Sequence, residues 1–356
     1  MSSPSIAAST LGAATGPAAT GVAPLGPVRA SPAPAQEGIL EWLGTFALHH
    51  GGSLANARLA WRLVGPPAAP VVLVLGGISA HRQVAAEDGG WWPALVGEGL
   101  AVDTRRYRVL GIDWLGGSGE STGPARGQAD FPSISAYDQV ELVARLVGAS
   151  GIGRLHAIVG ASYGGMVALA CAERRPEATA RIVVVSAADR THPMSTARRS
   201  VQREIVRFAI AHGDGPGGLR LARALAMTTY RTPAEFAARF DGPAQRRGAA
   251  LRFPVEDYLY ARGDAYATRY LPEAFMCLSE SIDLHRIDAR RVQLPATLVA
   301  VRDDQLVPLA TVQALARDLP GAQLHVIDSI YGHDAFFKEA DQLLPIFAAA
   351  LAGPAR

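Results

Sequence analysis

Six short runs rich in apolar residues recur along the chain, at 70–75, 107–113, 155–159, 181–185, 296–301 and 323–327. A strand with one face in water would alternate apolar and polar side chains, whereas a continuous apolar run suits a strand covered on both faces, as in a parallel sheet. Glycines close the first three runs: Gly76 and Gly77, then Gly116 and Gly117, then Gly160. Stretches with helical spacing separate the runs, at 136–147, 166–174, 309–318 and 339–351, and this alternation predicts repeated βαβ units. Upstream, residues 44–64 alternate on each side of Gly51 and Gly52, as a β-hairpin does.

Between residues 188 and 287 the buried-strand signal disappears and Arg- and Ala-rich helical sequence replaces it, including 201–211 and 219–226. This is read as a helical lid inserted after a central strand. The first 36 residues are rich in Ala, Ser, Gly and Pro and are read as a disordered tail, since they lack the apolar stretch of a signal peptide. The expected organisation is a tail at 1–36, a core made of 37–187 and 288–356, and a lid at 188–287.

The chain has 356 residues, 49% hydrophobic and 19% charged, with a formal charge of +2. No apolar run approaches the roughly 18 residues that a spanning helix needs, so no membrane partner is expected and the cytoplasm is the default location. The positive charge is almost all arginine, Lys338 being the single lysine. Arg198, Arg199, Arg203 and Arg207 cluster, and are read as a solvated helix face and not as a nucleic-acid surface. Cys171 and Cys277 stand far apart without metal-ligand spacing and are read as reduced core thiols. Neither a His-Glu-x-x-His motif nor a phosphate-binding loop is present, and no metal or resident cofactor is expected.

Gly160, Ala161, Ser162, Tyr163 and Gly164 form a G-x-S-x-G pattern that follows an apolar strand and opens a helix. In that context the flanking glycines allow a sharp turn that raises the serine hydroxyl above the sheet, the nucleophile turn of the α/β-hydrolase fold. A mostly parallel sheet with an inserted helical lid is the predicted fold. A serine hydroxyl is a weak nucleophile near neutrality, so it needs a base, and the base needs an acid to orient it. Asp304 lies just past the run ending at Val301, with Asp303 as the competing choice, and His333 follows the last predicted strand. The order Ser162, Asp304, His333 is the one this fold uses. Acyl transfer also needs amide donors for the oxyanion: Tyr163 N–H supplies one, and Ile78, with Gly77 as the alternative, the other.

Several flanking motifs together resemble the homoserine O-acyltransferase family: Gly90-Trp91-Trp92 with Val96-Gly97, Asp103-Thr104 before Tyr107, Leu115-Gly116-Gly117 with Ser121-Thr122-Gly123-Pro124, Phe131-Pro132, and Gly332-His333-Asp334-Ala335-Phe336. Tyr258-Leu259 and Gly263-Asp264 in the lid also look like the family pattern. The resemblance implies ping-pong transfer of an acyl group from acyl-CoA, the cosubstrate, through Ser162 to the hydroxyl of L-homoserine in methionine biosynthesis. It further implies a homodimer built through lid helices, Arg203 as the ligand of the amino-acid carboxylate, and Asp334 as the ligand of its ammonium.

Three places depart from the family pattern: Gly76-Gly77, Tyr163 after the nucleophile, and Asp113-Trp114 before Leu115. They are expected to line the acyl pocket and bear on the choice of donor. Arg82, close to the expected oxyanion loop, favours succinyl over acetyl, because an acetyl group would leave its charge without a ligand. The alternatives are a serine O-acyltransferase of the same family, a serine esterase or other hydrolase, and a non-catalytic binding protein on the same scaffold.

Overall fold

The computed structural model describes residues 35–353. Most of the tail segment therefore lies outside the described residues, and Gln36 already belongs to the first strand. In chain order the core begins with β1 (Gln36–Ala47), β2 (Ser53–Val64), β3 (Val71–Leu75), β4 (Arg108–Ile112), α1 (Ala136–Ala149), β5 (Ala157–Ala161), α2 (Tyr163–Arg174) and β6 (Ile182–Val185). The hairpin β1–β2 starts eight residues earlier than the alternation around Gly51 suggests. A helical layer follows: α3 (Pro193–Ala211), α4 (Gly215–Tyr230), α5 (Pro233–Phe240), a small exposed hairpin of β7 (Gln245–Arg247) and β8 (Ala250–Arg252), α6 (Pro254–Ala267) and α7 (Pro272–Leu284). The chain then completes the sheet with β9 (Ala296–Val301), α8 (Leu309–Asp318), β10 (Gln323–Ile327), α9 (Ala335–Lys338) and α10 (Ala340–Ala352).

Eight strands pair in the order β1-β2-β4-β3-β5-β6-β9-β10; β1–β2 and β2–β4 are antiparallel and the remaining pairs parallel. Strands β3, β5, β6 and β9 are buried at every position. Alternate residues feed two cores, which is why continuous apolar runs form strands here. Leu73, Leu75, Ile158, Val184 and Leu298 pack with α1, α2 and α8, while Val72, Val74, Val159, Val185 and Val299 pack with Trp92, Phe336 and α10.

The helical layer has its own small core of Val206, Leu219, Ala222, Tyr266 and Phe275, and Ile78 of the core packs against it. Glycine lets its helices approach closely. A Cβ on Gly218 would stand 2.3 Å from Ala209 Cβ, and one on Gly263 would stand 2.4 Å from the Arg220 carbonyl oxygen. Among the described residues no helix is long and apolar enough to cross a membrane, and no His, Cys, Asp and Glu group could hold a metal ion. Both cysteines are free and buried, and burial pushes each thiol up to about 12.

Candidate active site

Ser162 sits at the turn from β5 into α2 with φ 55° and ψ −121°, a left-handed conformation that few non-glycine residues adopt. The turn is pinned on both sides: Ser162 N–H donates to Val185 O at 2.9 Å, and Gly164 N–H donates to Gly76 O at 2.8 Å. The glycines of the motif are dictated by space. A Cβ on Gly160 would lie 2.2 Å from Gly164 O, and one on Gly164 would lie 2.4 Å from both the carbonyl carbon and oxygen of Leu75.

His333 Nε2 stands 2.9 Å from Ser162 Oγ, and its Nδ1 stands 2.7 Å from Asp304 Oδ2. Asp304 Oδ1 accepts from the Leu306 and Val307 amides at 2.8 and 3.0 Å, so the buried carboxylate is fully engaged. Asp303, the competing choice, is exposed. Burial works against a charged imidazole, but the charge of Asp304 and its hydrogen bond outweigh it, and the His333 pKa is raised above its ordinary value. Tyr163 N–H is the first of its helix and has no carbonyl partner within it, which leaves it available beside Ser162. Gly77 and Ile78 line the same cavity, and both of their carbonyls are used elsewhere, by Trp114 Nε1 and the Tyr270 hydroxyl.

Two lobes meet at Ser162, His333, Ile78 and Tyr230. The outer lobe, about 430 Å³, carries Arg223, Asp334, Tyr266 and Tyr270, with Trp91, His81, Arg269 and Phe337 around it. Arg223 lies over the rings of Tyr230 and Tyr266 at 5.0 and 4.7 Å and donates to the Tyr230 hydroxyl. Asp334 accepts from Arg231 Nε through Oδ2 at 2.8 Å. The inner lobe includes Met166, Phe275, Ile282, Leu306 and Val307, together with Arg198, Arg199, Gln202 and Ser279. The helical layer is fastened to the loops bearing the acid and the histidine. Thr232 Oγ1 donates to Ile330 O at 2.6 Å, Ser195 Oγ to Leu306 O at 2.8 Å, and Gln305 Nε2 to Arg231 O at 2.8 Å.

Several expected residues stand elsewhere. Arg203 lines neither lobe: its guanidinium is buried against Asp283 at 2.6 Å and against Ser279. Two arginines line the outer lobe, the half-buried Arg223 and the exposed Arg269, and the sequence reading missed both. Arg223 and Tyr230 are seven residues apart, two turns of one helix face, and that spacing was the available signal. Arg82 also lines neither lobe, because Asp113 and Glu120 pair with its guanidinium. Arg82 is therefore not placed to bind a succinyl carboxylate. The cluster of α3 arginines is not a solvated face: Arg199 and Arg203 are nearly buried, while Arg207 is exposed and pairs with Glu204. The Tyr163 side chain is fully buried beneath the site, bonded to Ser281 Oγ at 2.7 Å, and lines neither lobe. Asp113 and Trp114 do not reach either lobe at Ser162.

Residues 70–340 match the α/β-hydrolase fold family model. The chain is 44% identical over 309 residues to the homoserine O-succinyltransferase of Xanthomonas campestris pv. campestris, covering 85% of this chain and 81% of that protein. It is 32% identical over 367 residues to the serine O-succinyltransferase of Litchfieldella anticariensis, covering 90% and 99%. Among solved structures, the homoserine O-acetyltransferase from Bacillus anthracis superposes with a TM-score of 0.81 at 18% identity, covering 90% of this chain and 99% of that one. The fold, the nucleophile turn and these identities together place the chain in the homoserine O-acyltransferase family of α/β-hydrolase-fold proteins.

Proposed function

We propose that this protein transfers a succinyl group from succinyl-CoA to the hydroxyl of L-homoserine through an acyl-Ser162 intermediate. One observation carries the reading: the Ser162–His333–Asp304 chain opens onto a lobe whose walls hold Arg223 and Asp334. An α-amino acid carries an ammonium and a carboxylate, and a guanidinium beside a carboxylate is the complement of that pair. The relative from Xanthomonas supports homoserine and succinyl as the substrates.

In the first half-reaction His333 takes the proton of Ser162 Oγ as the oxygen attacks the thioester carbonyl. The oxyanion is met by the N–H groups of Tyr163 and Ile78, and collapse expels the CoA thiolate, which His333 protonates to the thiol. The vacated outer lobe then receives homoserine, its carboxylate on Arg223 and its ammonium on Asp334. His333 deprotonates the hydroxyl, which attacks the acyl-enzyme and releases Ser162. No cofactor beyond the cosubstrate enters these steps. We propose methionine biosynthesis as the setting of this reaction and, as the family resemblance implies, a cytoplasmic homodimer as its form.

Serine, one methylene shorter, is the second acceptor to consider, because the Litchfieldella relative is named for it. The test is thiol release from succinyl-CoA and acetyl-CoA, each with homoserine, serine or no acceptor. Homoserine-dependent release that is faster from succinyl-CoA is expected. Equal release without an acceptor would instead leave a hydrolase.

A further inference from the structure

The loop that follows β3 presents three carbonyls in succession, each held by a different part of the chain. Gly76 O accepts from Gly164 N–H at 2.8 Å, Gly77 O from Trp114 Nε1 and from Ala80 N–H, both at 2.9 Å, and Ile78 O from the Tyr270 hydroxyl at 2.7 Å. Ile78 N–H lies among these bonds, yet it finds no acceptor among the described residues. Sterics do not fix this loop. A Cβ on Gly77 would meet nothing within 4 Å, so the torsions of that glycine are free and hydrogen bonds decide how its peptide lies.

Gly77 O and Ile78 N–H belong to one planar trans peptide, in which they point in opposite directions, so whatever holds the carbonyl aims the amide. Ala80 is in the same loop and moves with it, whereas Trp114 ties the carbonyl to the core. Trp114 lines neither lobe at Ser162, so the carbonyl is drawn away from the cavity and Ile78 N–H is left facing it. The indole is itself anchored. It is buried with its ring against that of Tyr163, centroids 4.9 Å apart at 66°, and the Gln139 amide brackets the next residue, accepting from Leu115 N–H at 3.1 Å and donating to Leu115 O at 2.8 Å. Tyr163 is the residue whose own amide is the other oxyanion donor. One indole thus braces the residues that supply both donors, and Gly77, Trp114 and Tyr163, which depart from the family pattern, form one assembly.

We propose that Trp114 is a positioning residue for the oxyanion hole: its Nε1–H, bound to Gly77 O, holds the Gly77–Ile78 peptide so that Ile78 N–H points at the oxygen of the tetrahedral intermediate. Tyr270 pins the peptide that follows. The proposal rests on the acyl-Ser162 reading above, and not on which acceptor completes the reaction. As Ser162 Oγ bonds to the thioester carbon, the π pair of the carbonyl moves onto its oxygen. An amide already aimed there meets the new charge without reorganising the loop.

Trp114→Phe keeps an aromatic ring against Tyr163 and loses the N–H. The kcat for thiol release from acyl-CoA is expected to fall about tenfold to a hundredfold, less than the roughly 10²–10³ that deleting an oxyanion donor costs, because the amide stays and only its aim loosens. A trifluoromethyl ketone analogue of the acyl group, which adds to Ser162 and carries an oxyanion, should lose affinity by the same factor, while coenzyme A binds within about twofold of wild type. Should Trp114→Phe fail to fold, benzothienylalanine at position 114 keeps the outline of the indole with sulfur in place of N–H, and the same three quantities are read. Unchanged kcat and ketone affinity would overturn the role, as would equal losses for the ketone and for coenzyme A, the sign of a general distortion of the cavity. A wild type that neither reacts with a fluorophosphonate at Ser162 nor releases thiol from succinyl-CoA or acetyl-CoA would overturn the acyl-serine reading, and this proposal with it. A wild type that does both leaves that reading standing whatever the variants show.

Discussion

Each oxygen of Asp304 has a separate task, one on the imidazole of His333 and one on two loop amides. Asp304→Asn puts an amide NH₂ where only acceptors fit, which disturbs either the tautomer of His333 or the loop. A fall in kcat of roughly 10³–10⁴ is expected, while Asp303→Asn, at an exposed position, should stay within about twofold. The acid limb of the rate profile gives an independent check. His333 must be neutral in the free enzyme to act as base, and Asp304 raises its pKa. Wild-type kcat/KM should therefore fall as pH drops through a value above 6.5, and the residual activity of the Asn variant should fall at lower pH. Arg223→Met separates the half-reactions, because it removes the ligand proposed for the acceptor carboxylate but no group proposed for the first step. A loss of roughly 10²–10³ in kcat/KM for homoserine is expected, with the rapid first release of thiol from acyl-CoA still visible.

At the scale of elements, what the sequence disclosed follows from burial. Strands such as β3 and β6 are covered on both faces, so every position is apolar and the run is visible without knowing its neighbours. The nucleophile turn was legible for a similar reason, since contacts of 2.2–2.4 Å exclude any side chain at Gly160 and Gly164. Gly164→Ala is expected to displace the turn, abolish fluorophosphonate labelling of Ser162 and lower the melting temperature, at a cost of about 1–3 kcal/mol. The arginines were not legible. Arg203 and Arg223 both sit on amphipathic helices, and which one reaches the cavity is decided by how α3 and α4 pack on α7, a property of pairs of helices and not of either one. Arg82 lies near the oxyanion loop in sequence, yet Asp113, thirty-one residues away, claims it. The short β7–β8 hairpin escaped because its residues are exposed throughout and carry no apolar pattern.

The whole molecule carries a pH response outside the active site. His285 is buried below the α7 terminus, and burial lowers its pKa from 6.5 to about 4, against the opposing hydrogen bond to Ala188 O. The unfolded chain takes up a proton near pH 6.5 that the folded protein refuses, so stability is complete above that pH and declines as pH falls toward 4. The difference amounts to about 2 kcal/mol at pH 5. Thermal unfolding of His285→Gln should show a shallower decline between pH 7 and pH 5 than wild type.

The fastening of the helical layer to the loops of Asp304 and His333 has a consequence for fidelity. If that layer swings away and admits bulk solvent, Thr232 and Arg231 draw the histidine loop with it, and the ester is left facing water with its base withdrawn. Leakage of the acyl-enzyme to free acid is then suppressed by the very motion that would permit it. Thr232→Ala, which releases the Ile330 tether, should raise acceptor-independent acid formation relative to transfer; an unchanged partition ratio would show that the tether plays no part in excluding hydrolysis.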